Sequence, residues 1–348
     1  MHLRCLTRRR WLVFWAVVML APASLRADAT SDFFKGKVVR LVVAYPPGGG
    51  YDVFARVLAQ AVPRHLPGAP TIIVQYMPAA GSLTATNYLY SGAEKDGTVV
   101  LAPSNSIAFA PLQGINGAKF DPKRFNWIGS PTRETGILIV WHTAPVDSVR
   151  DLTTREITLG TSSANATSSF YGRVLNSALG LKMKLIRGYP GSVNSFLAME
   201  RGEVDGYAAA FWNSLKSTKP DWLKDRKVKL LVQYGAEPNP ELPDVPFARD
   251  LAAAEDDRIL LDVANAPLAF GRPYVLPPGV PADRVAAWRS AFMATYRDPA
   301  FIAEAARQQI EIKPSTGEEM QGILERAYAA PHQVIERLRS LYDTETTR

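Results

Sequence analysis

Val38-Val39-Arg40-Leu41-Val42-Val43-Ala44-Tyr45-Pro46-Pro47-Gly48-Gly49-Gly50-Tyr51-Asp52 drives a short β-branched run into three consecutive glycines and then opens an amphipathic helix. A strand that ends in glycines exposes backbone N–H groups, and the helix behind it adds unpaired donors and a partial positive charge. This is the shape of a site for an anion. Nucleotide binding is not expected, because Val53 stands where a G-x-G-x-x-G begun at Gly48 needs its last glycine, and no G-x-x-x-x-G-K-[ST] occurs.

Outward from this stretch, apolar β-rich runs alternate with helical patterns. Val38 to Ala44 leads to a helix carrying Val53, Phe54, Val57, Leu58, Ala61 and Val62; Thr71 to Val74 leads to a helix from Ser82; Val99 to Ala102 follows. A second block repeats the scheme: Glu156 to Gly160, a helix near Ser168 to Ala178, Lys184 to Ile186, a helix from Ser192 to Arg201, Val204 to Ala209, and Lys229 to Gln233. Such alternation means parallel strands with crossover helices, and fully apolar runs fit sheets covered on both faces. The expected fold class is α/β, with two open α/β domains and a ligand cleft between them. Two extended runs, Gly136 to Trp141 and Pro267 to Val275, are expected to cross between the domains. Domain 1 is then discontinuous, 28–137 plus 268–348, and domain 2 is 138–267. The tail is helical, with Val285, Trp288, Phe292 and Tyr296 spaced by three and four residues as core positions.

Residues 1–27 differ from the rest. Arg4, Arg8, Arg9 and Arg10 precede the apolar run Trp11 to Ala21, about half of the ~20 residues a bilayer span requires, and small residues follow at Ala23 and Ala27. The segment reads as a cleaved export signal, of Sec or twin-arginine type, and the expected location is the periplasm. Its removal takes five arginines and no acid, which lowers the formal net charge from +7 to +2, so the basic balance of the whole chain does not argue for nucleic acid. The single cysteine, Cys5, leaves with it, which excludes a disulfide, a thiolate nucleophile and a thiolate metal site. No cofactor and no metal are expected. The mature histidines are His65, His142 and His332; neither H-E-x-x-H nor Gly-x-Ser-x-Gly occurs, so zinc and serine hydrolases lack their parts and no enzyme is expected.

The remaining loops of interest lie, like the first, just past a strand and before a helix: Ala79-Ala80-Gly81-Ser82, Ser104-Asn105-Ser106, Thr161 to Thr167, and Tyr189-Pro190-Gly191-Ser192. Ligands of open α/β sheets bind at such strand ends. These loops are rich in hydroxyls, amides and glycine and poor in charge, which suits hydrogen bonding to carboxylate oxygens, directly or through water. Each Ser or Thr can equally cap its helix. The candidate binding set is Tyr45, Pro47, Gly48, Gly49, Gly50, Asp52, Gly81, Ser82, Ser104, Asn105, Ser106, Thr161, Ser162, Ser163, Asn165, Thr167, Tyr189, Ser192, Asp205, Phe211 and Trp212. Within it, Asp52 either braces the glycine loop or meets a ligand ammonium or hydroxyl. Asp205 is placed toward the cleft with Glu203 in solvent. Phe211 and Trp212 either stack on the body of a ligand or pack in the core, and Tyr45, Tyr51 and Tyr189 lie in loops with the same two uses.

Several segments together carry a family resemblance. They are Ala44 to Asp52 followed by Ala55-Arg56, then Lys95-Asp96-Gly97-Thr98, Tyr189 to Ser192 leading to Gly202-Glu203-Val204-Asp205, Leu242 to Pro246, Leu276 to Ala282, and Asp298 to Phe301. In order and spacing the chain resembles the Bug-type extracytoplasmic solute-binding receptors of tripartite tricarboxylate transporters over nearly its whole mature length. The resemblance implies a periplasmic-binding-protein fold of the second type, closing on a small carboxylate held largely by backbone amides and waters, and a permease partner in the inner membrane. The chain departs from the family pattern at Gln75 to Ser82, in place of Asn-x-Pro-Gly-Ala-Gly-Gly, and at Thr161 to Asn165, which lacks the usual glycines. The expected protein is a monomeric receptor for a mono-, di- or tricarboxylate. A receptor that docks on a sensor kinase, or an exported enzyme, are the rival readings.

Overall fold

The computed structural model describes residues 23–48, 50–79, 82–162, 166–189, 191–307 and 311–342. Most of the expected export signal, residues 1–22, lies outside them, and a helix Ala23–Phe34 runs across its expected end. In chain order the strands are β1 (Val38–Val43), β2 (Thr71–Tyr76), β3 (Val99–Ala102), β4 (Asn126–Ser130), β5 (Gly136–Trp141), β6 (Ile157–Gly160), β7 (Met183–Ile186), β8 (Gly206–Phe211), β9 (Val228–Tyr234), β10 (Tyr274–Leu276) and β11 (Ser315–Thr316).

They form two mixed sheets, one in the order β11-β4-β10-β3-β1-β2 and one in the order β7-β6-β8-β5-β9. In the first, β1 pairs in parallel with β2 and β3, so all three end at one edge. In the second, β6 pairs in parallel with β7 and β8. Central strands read as largely apolar runs because both their faces are covered: Val39, Leu41 and Val43 share a core with Ala55 and Leu58 of helix Gly50–Ala61 and Phe292 of helix Ala282–Arg297, while Val42, Val99 and Leu101 belong to the core on the other side. β2, at the sheet edge, alternates between exposed and half-buried residues instead.

The two chain passages between the sheets differ from expectation. β5 pairs with β8 and β9 throughout, so the boundary expected at 137 falls inside a strand of the second sheet. The run expected to be extended, Pro267 to Val275, begins as the last turn of a helix, Glu255–Phe270, with Pro267 inside it, and only Tyr274–Leu276 is strand. The helix hides its periodicity in its second half, where every residue from Val263 through Phe270 is buried. Its end is clasped from the other passage: the Glu134 N–H donates to the Leu268 carbonyl at 3.0 Å, and the Arg272 N–H to Ser130 Oγ at 3.0 Å. Gly271 stands where a Cβ would lie 1.9 Å from the Thr132 carbonyl, with φ +50°. Only glycine fits where the two passages touch.

A last helix, His332–Tyr342, reaches both halves of the molecule. Arg337 bonds Ser177 Oγ at 2.9 Å and Asp257 at 2.7 Å, whereas Arg339 Nε donates to the Leu112 carbonyl at 2.9 Å. Tyr342 stacks on Phe170 at 4.1 Å and its hydroxyl accepts from Gln113 Nε2 at 2.9 Å.

Candidate functional site

The strand-end loops of the first sheet are cross-braced by buried side chains. Asp52, in the first turn of its helix and 4 % exposed, accepts the Gly48 N–H at 2.7 Å with Oδ2, and Arg56 Nε and the Tyr76 hydroxyl at 2.7 Å each with Oδ1. Burial pushes this carboxyl up, but the bonds from Tyr76, Gly48 and Arg56 outweigh it and leave it below the ordinary range. Asp52 is thus a brace, and its carboxylate is not free for a ligand. The same bond removes Gly48 as a donor, and Pro47 has no N–H, so these two supply none of the amides expected to hold a carboxylate. Gly49, Gly81, Ser163 and Asn165 lie outside the described residues.

Ser82 corrects the capping reading. It is fully buried at φ +83°, makes no side-chain cap, and accepts the Ser104 N–H at 3.1 Å, tying the loop after β2 to the loop after β3. Ser104 is buried as well, with its hydroxyl 2.9 Å from that of Ser106. Tyr45 finds its stacking partner inside the protein, the Tyr51 ring at 4.4 Å. Tyr51 in turn accepts the Asn105 N–H at 3.0 Å, and burial pushes its hydroxyl pKa strongly up. The Arg272 guanidinium lies over Phe54 at 4.6 Å and over Tyr51 at 6.0 Å, and reaches Glu134 and Thr132 at 3.2 Å each. Burial raises the Glu134 carboxyl above its usual range despite the pull of Arg272. A continuous set of contacts therefore runs from the interlobe passages through Tyr51 to Asn105.

The loops of the second sheet are joined by main chain. Thr161 N–H donates to Ile186 at 2.8 Å, Tyr189 N–H to Thr161 at 3.1 Å and Gly188 N–H to Ser162 at 3.3 Å. The Thr161 side chain is fully buried, with its hydroxyl donating to the Ile186 carbonyl at 3.3 Å. Tyr189 bonds Glu203 at 3.4 Å. The helices Thr167–Leu179 and Ser192–Glu200 both begin without a side-chain cap, and Thr167 and Ser192 are exposed.

Between the two sets of loops lies a cavity of about 770 Å³. Asn105 and Ser106 line it from the first sheet and Thr167 and Phe211 from the second, with Gln113, Ile115, Asn116, Phe170, Tyr171, Pro267, Leu268, Arg339 and Tyr342 among the other walls. None of His65, His142 and His332 is among these walls. Ser192 instead lines a neighbouring cavity of about 430 Å³ that shares Phe211. Two expected residues lie elsewhere. Trp212 is buried, with its indole N–H on Glu241 and Lys216 5.5 Å over its ring, so it packs in the second lobe. Asp205 precedes β8 and accepts the Thr158 N–H and hydroxyl at 2.7 and 2.8 Å, which fastens β6 to β8 at their starting ends. At about 3.3 Å per residue it sits roughly 20 Å from Phe211 at the other end of the strand.

Sequence reasoning missed Gln113, Ile115, Asn116, Arg339 and Tyr342. The first three belong to Gln113-Gly114-Ile115-Asn116-Gly117, a polar and glycine-rich run in the segment that follows Ser104 to Ser106. Nothing in the sequence points to the last two, more than two hundred residues away.

No protein-family model matches the chain. In sequence it is similar to the protein BugT of Bordetella pertussis, 33% identical over 93 residues, 27% of this chain and 28% of BugT. It is also similar to the UPF0065 protein in the gbd 5' region of Cupriavidus necator, 25% identical over 246 residues, 68% and 71% of the two chains. In structure it matches a TctC solute-binding protein from Polaromonas at a TM-score of 0.67, covering 88% of this chain and 97% of that one at 17% identity. The chain has the fold of the periplasmic solute-binding proteins, and in sequence it is similar to Bug-type proteins. It also matches an R. palustris protein solved with adipate, with a TM-score of 0.57 and 19% identity over 87% of this chain and 97% of that one. The cavity is lined from both sheets, by Asn105 and Ser106 after β3 and by Thr167 after β6 and Phe211 at the end of β8.

Proposed function

We propose that the protein captures a small organic carboxylate between its two lobes, in the periplasm, and delivers it to a membrane permease of the tripartite tricarboxylate type without altering it. One lobe comprises residues 28–135 with the chain from 271 onward, and the other residues 136–270. The observation that carries this reading is the cavity of about 770 Å³ closed from both sides by strand-end loops, with neutral donors at Asn105, Ser106 and Thr167. Amides, hydroxyls and an uncapped helix start suit a carboxylate. The bound adipate of the R. palustris neighbour supports the same ligand class. Histidines stand outside the cavity, and Glu203 and Asp205 stand outside it too, which fits binding without chemistry.

Thermal melting against a panel of mono-, di- and tricarboxylates tests it. A ligand at one hundred times its Kd adds about 2.7 kcal/mol of stability. A panel in which no carboxylate moves the transition overturns the proposal.

A further inference from the structure

The walls of the cavity constrain the far end of the ligand. Arg339 is the only charged side chain among its described lining residues, and the protein already matches it. Its Nε donates to the Leu112 carbonyl at 2.9 Å, one Nη to the Pro111 carbonyl at 3.3 Å, and the other to Glu336 at 2.7 Å. Arg272, the cation nearest to Tyr51, is engaged by Glu134 and Thr132 and does not line the cavity. Opposite these stand apolar groups. Ile115 is 44 % exposed, one of few large apolar side chains left open on the molecule, and it lies on the cavity wall. Phe211 faces the cavity from the other lobe at the end of β8, with Tyr171, Pro267 and Leu268 beside it.

Resting on the carboxylate reading above, we infer that the ligand is a monocarboxylate whose remaining body is apolar, alkyl or aryl, and is gripped between Phe211 and Ile115. The carboxylate sits toward Asn105, Ser106 and Thr167. A second carboxylate would be stripped of water against Phe211 and Ile115, away from the hydroxyls and helix start that suit the first, with no unmatched cation to meet it and the Gln113 side-chain N–H already given to the Tyr342 hydroxyl. A methylene in the same place gains affinity, about fourfold for each one buried. The enclosure thus discriminates by what it withholds.

Hexanoate and adipate test this directly, since they share six carbons and differ only in the second carboxylate. Titration calorimetry on the full chain is expected to give hexanoate an affinity at least tenfold above that of adipate. Phe211→Ala and, separately, Ile115→Asn are expected to shrink that ratio severalfold; Ile115 lies in an exposed loop, so its variant remains informative if the phenylalanine variant fails to fold. Adipate binding as tightly as hexanoate overturns the inference and leaves the carboxylate reading standing. An unchanged ratio in both variants overturns the assignment of the body to these two side chains. Absence of binding by every carboxylate overturns both readings together.

Discussion

The two jaws of the cleft are built by different means. In the first lobe, buried side chains lock one loop to the next: Asp52 to Gly48 and Tyr76, Ser82 to Ser104, Tyr51 to Asn105. In the second, Thr161 and Ser162 join the loop after β7 through main-chain bonds, and the helices that follow start uncapped. Side-chain braces make the first jaw intolerant of substitution and fix its shape before any ligand arrives. Main-chain pairing leaves the exposed side chains of the second free to vary at little cost in stability.

The largest blow to the first jaw is Asp52→Ala, which removes the one acceptor shared by the Gly48 N–H, Arg56 Nε and the Tyr76 hydroxyl. It is expected to lower unfolding stability by about 2 to 3 kcal/mol in urea titrations. The same brace sets a pH dependence. A carboxyl held below its ordinary value of 3.8 contributes stability that is complete above that value and declines as the pH falls through its folded pKa. Asp52→Asn should flatten that part of the stability curve below about pH 4. A smaller loss, about 1 kcal/mol, is expected for Ser82→Ala, which removes the acceptor for Ser104 and keeps the left-handed φ. In the second jaw, Ser162→Ala should change stability by less than about 0.5 kcal/mol, because Ser162 holds its neighbour by its carbonyl. A cost for Ser162→Ala equal to that of Asp52→Ala would erase the contrast between the jaws.

Most of the scaffold could be read from the chain. β5 was legible to the residue because a strand covered on both faces is an uninterrupted apolar run, Gly136 to Trp141. Helix Glu255–Phe270 was not, since continuous burial from Val263 to Phe270 removes the 3.6-residue period there and Pro267 imitates a break. Among the walls of the cavity, Asn105, Ser106, Thr167 and Phe211 were expected from the rule that ligands gather at the carboxyl ends of strands. Asp205 was misplaced against that same rule, for it comes before its strand. Side chains such as Asp52, Ser82 and Trp212 had the right chemistry and the right loops, but whether such a group faces a ligand or a neighbour depends on packing across segments distant in sequence. Tyr342 and Arg339 reach the cavity by the same kind of distant packing.

The helix His332–Tyr342 gives the molecule an elasticity that two covalent passages alone would not. Arg337 and Tyr342 grip the second lobe at Ser177 and Phe170, while Arg339 and the Tyr342 hydroxyl grip the first at Leu112 and Gln113. Any change in the angle between the lobes must stretch or release one of those grips. A helix distant in sequence from both passages thus acts as a third tie between the lobes, one made of breakable contacts and not of covalent chain.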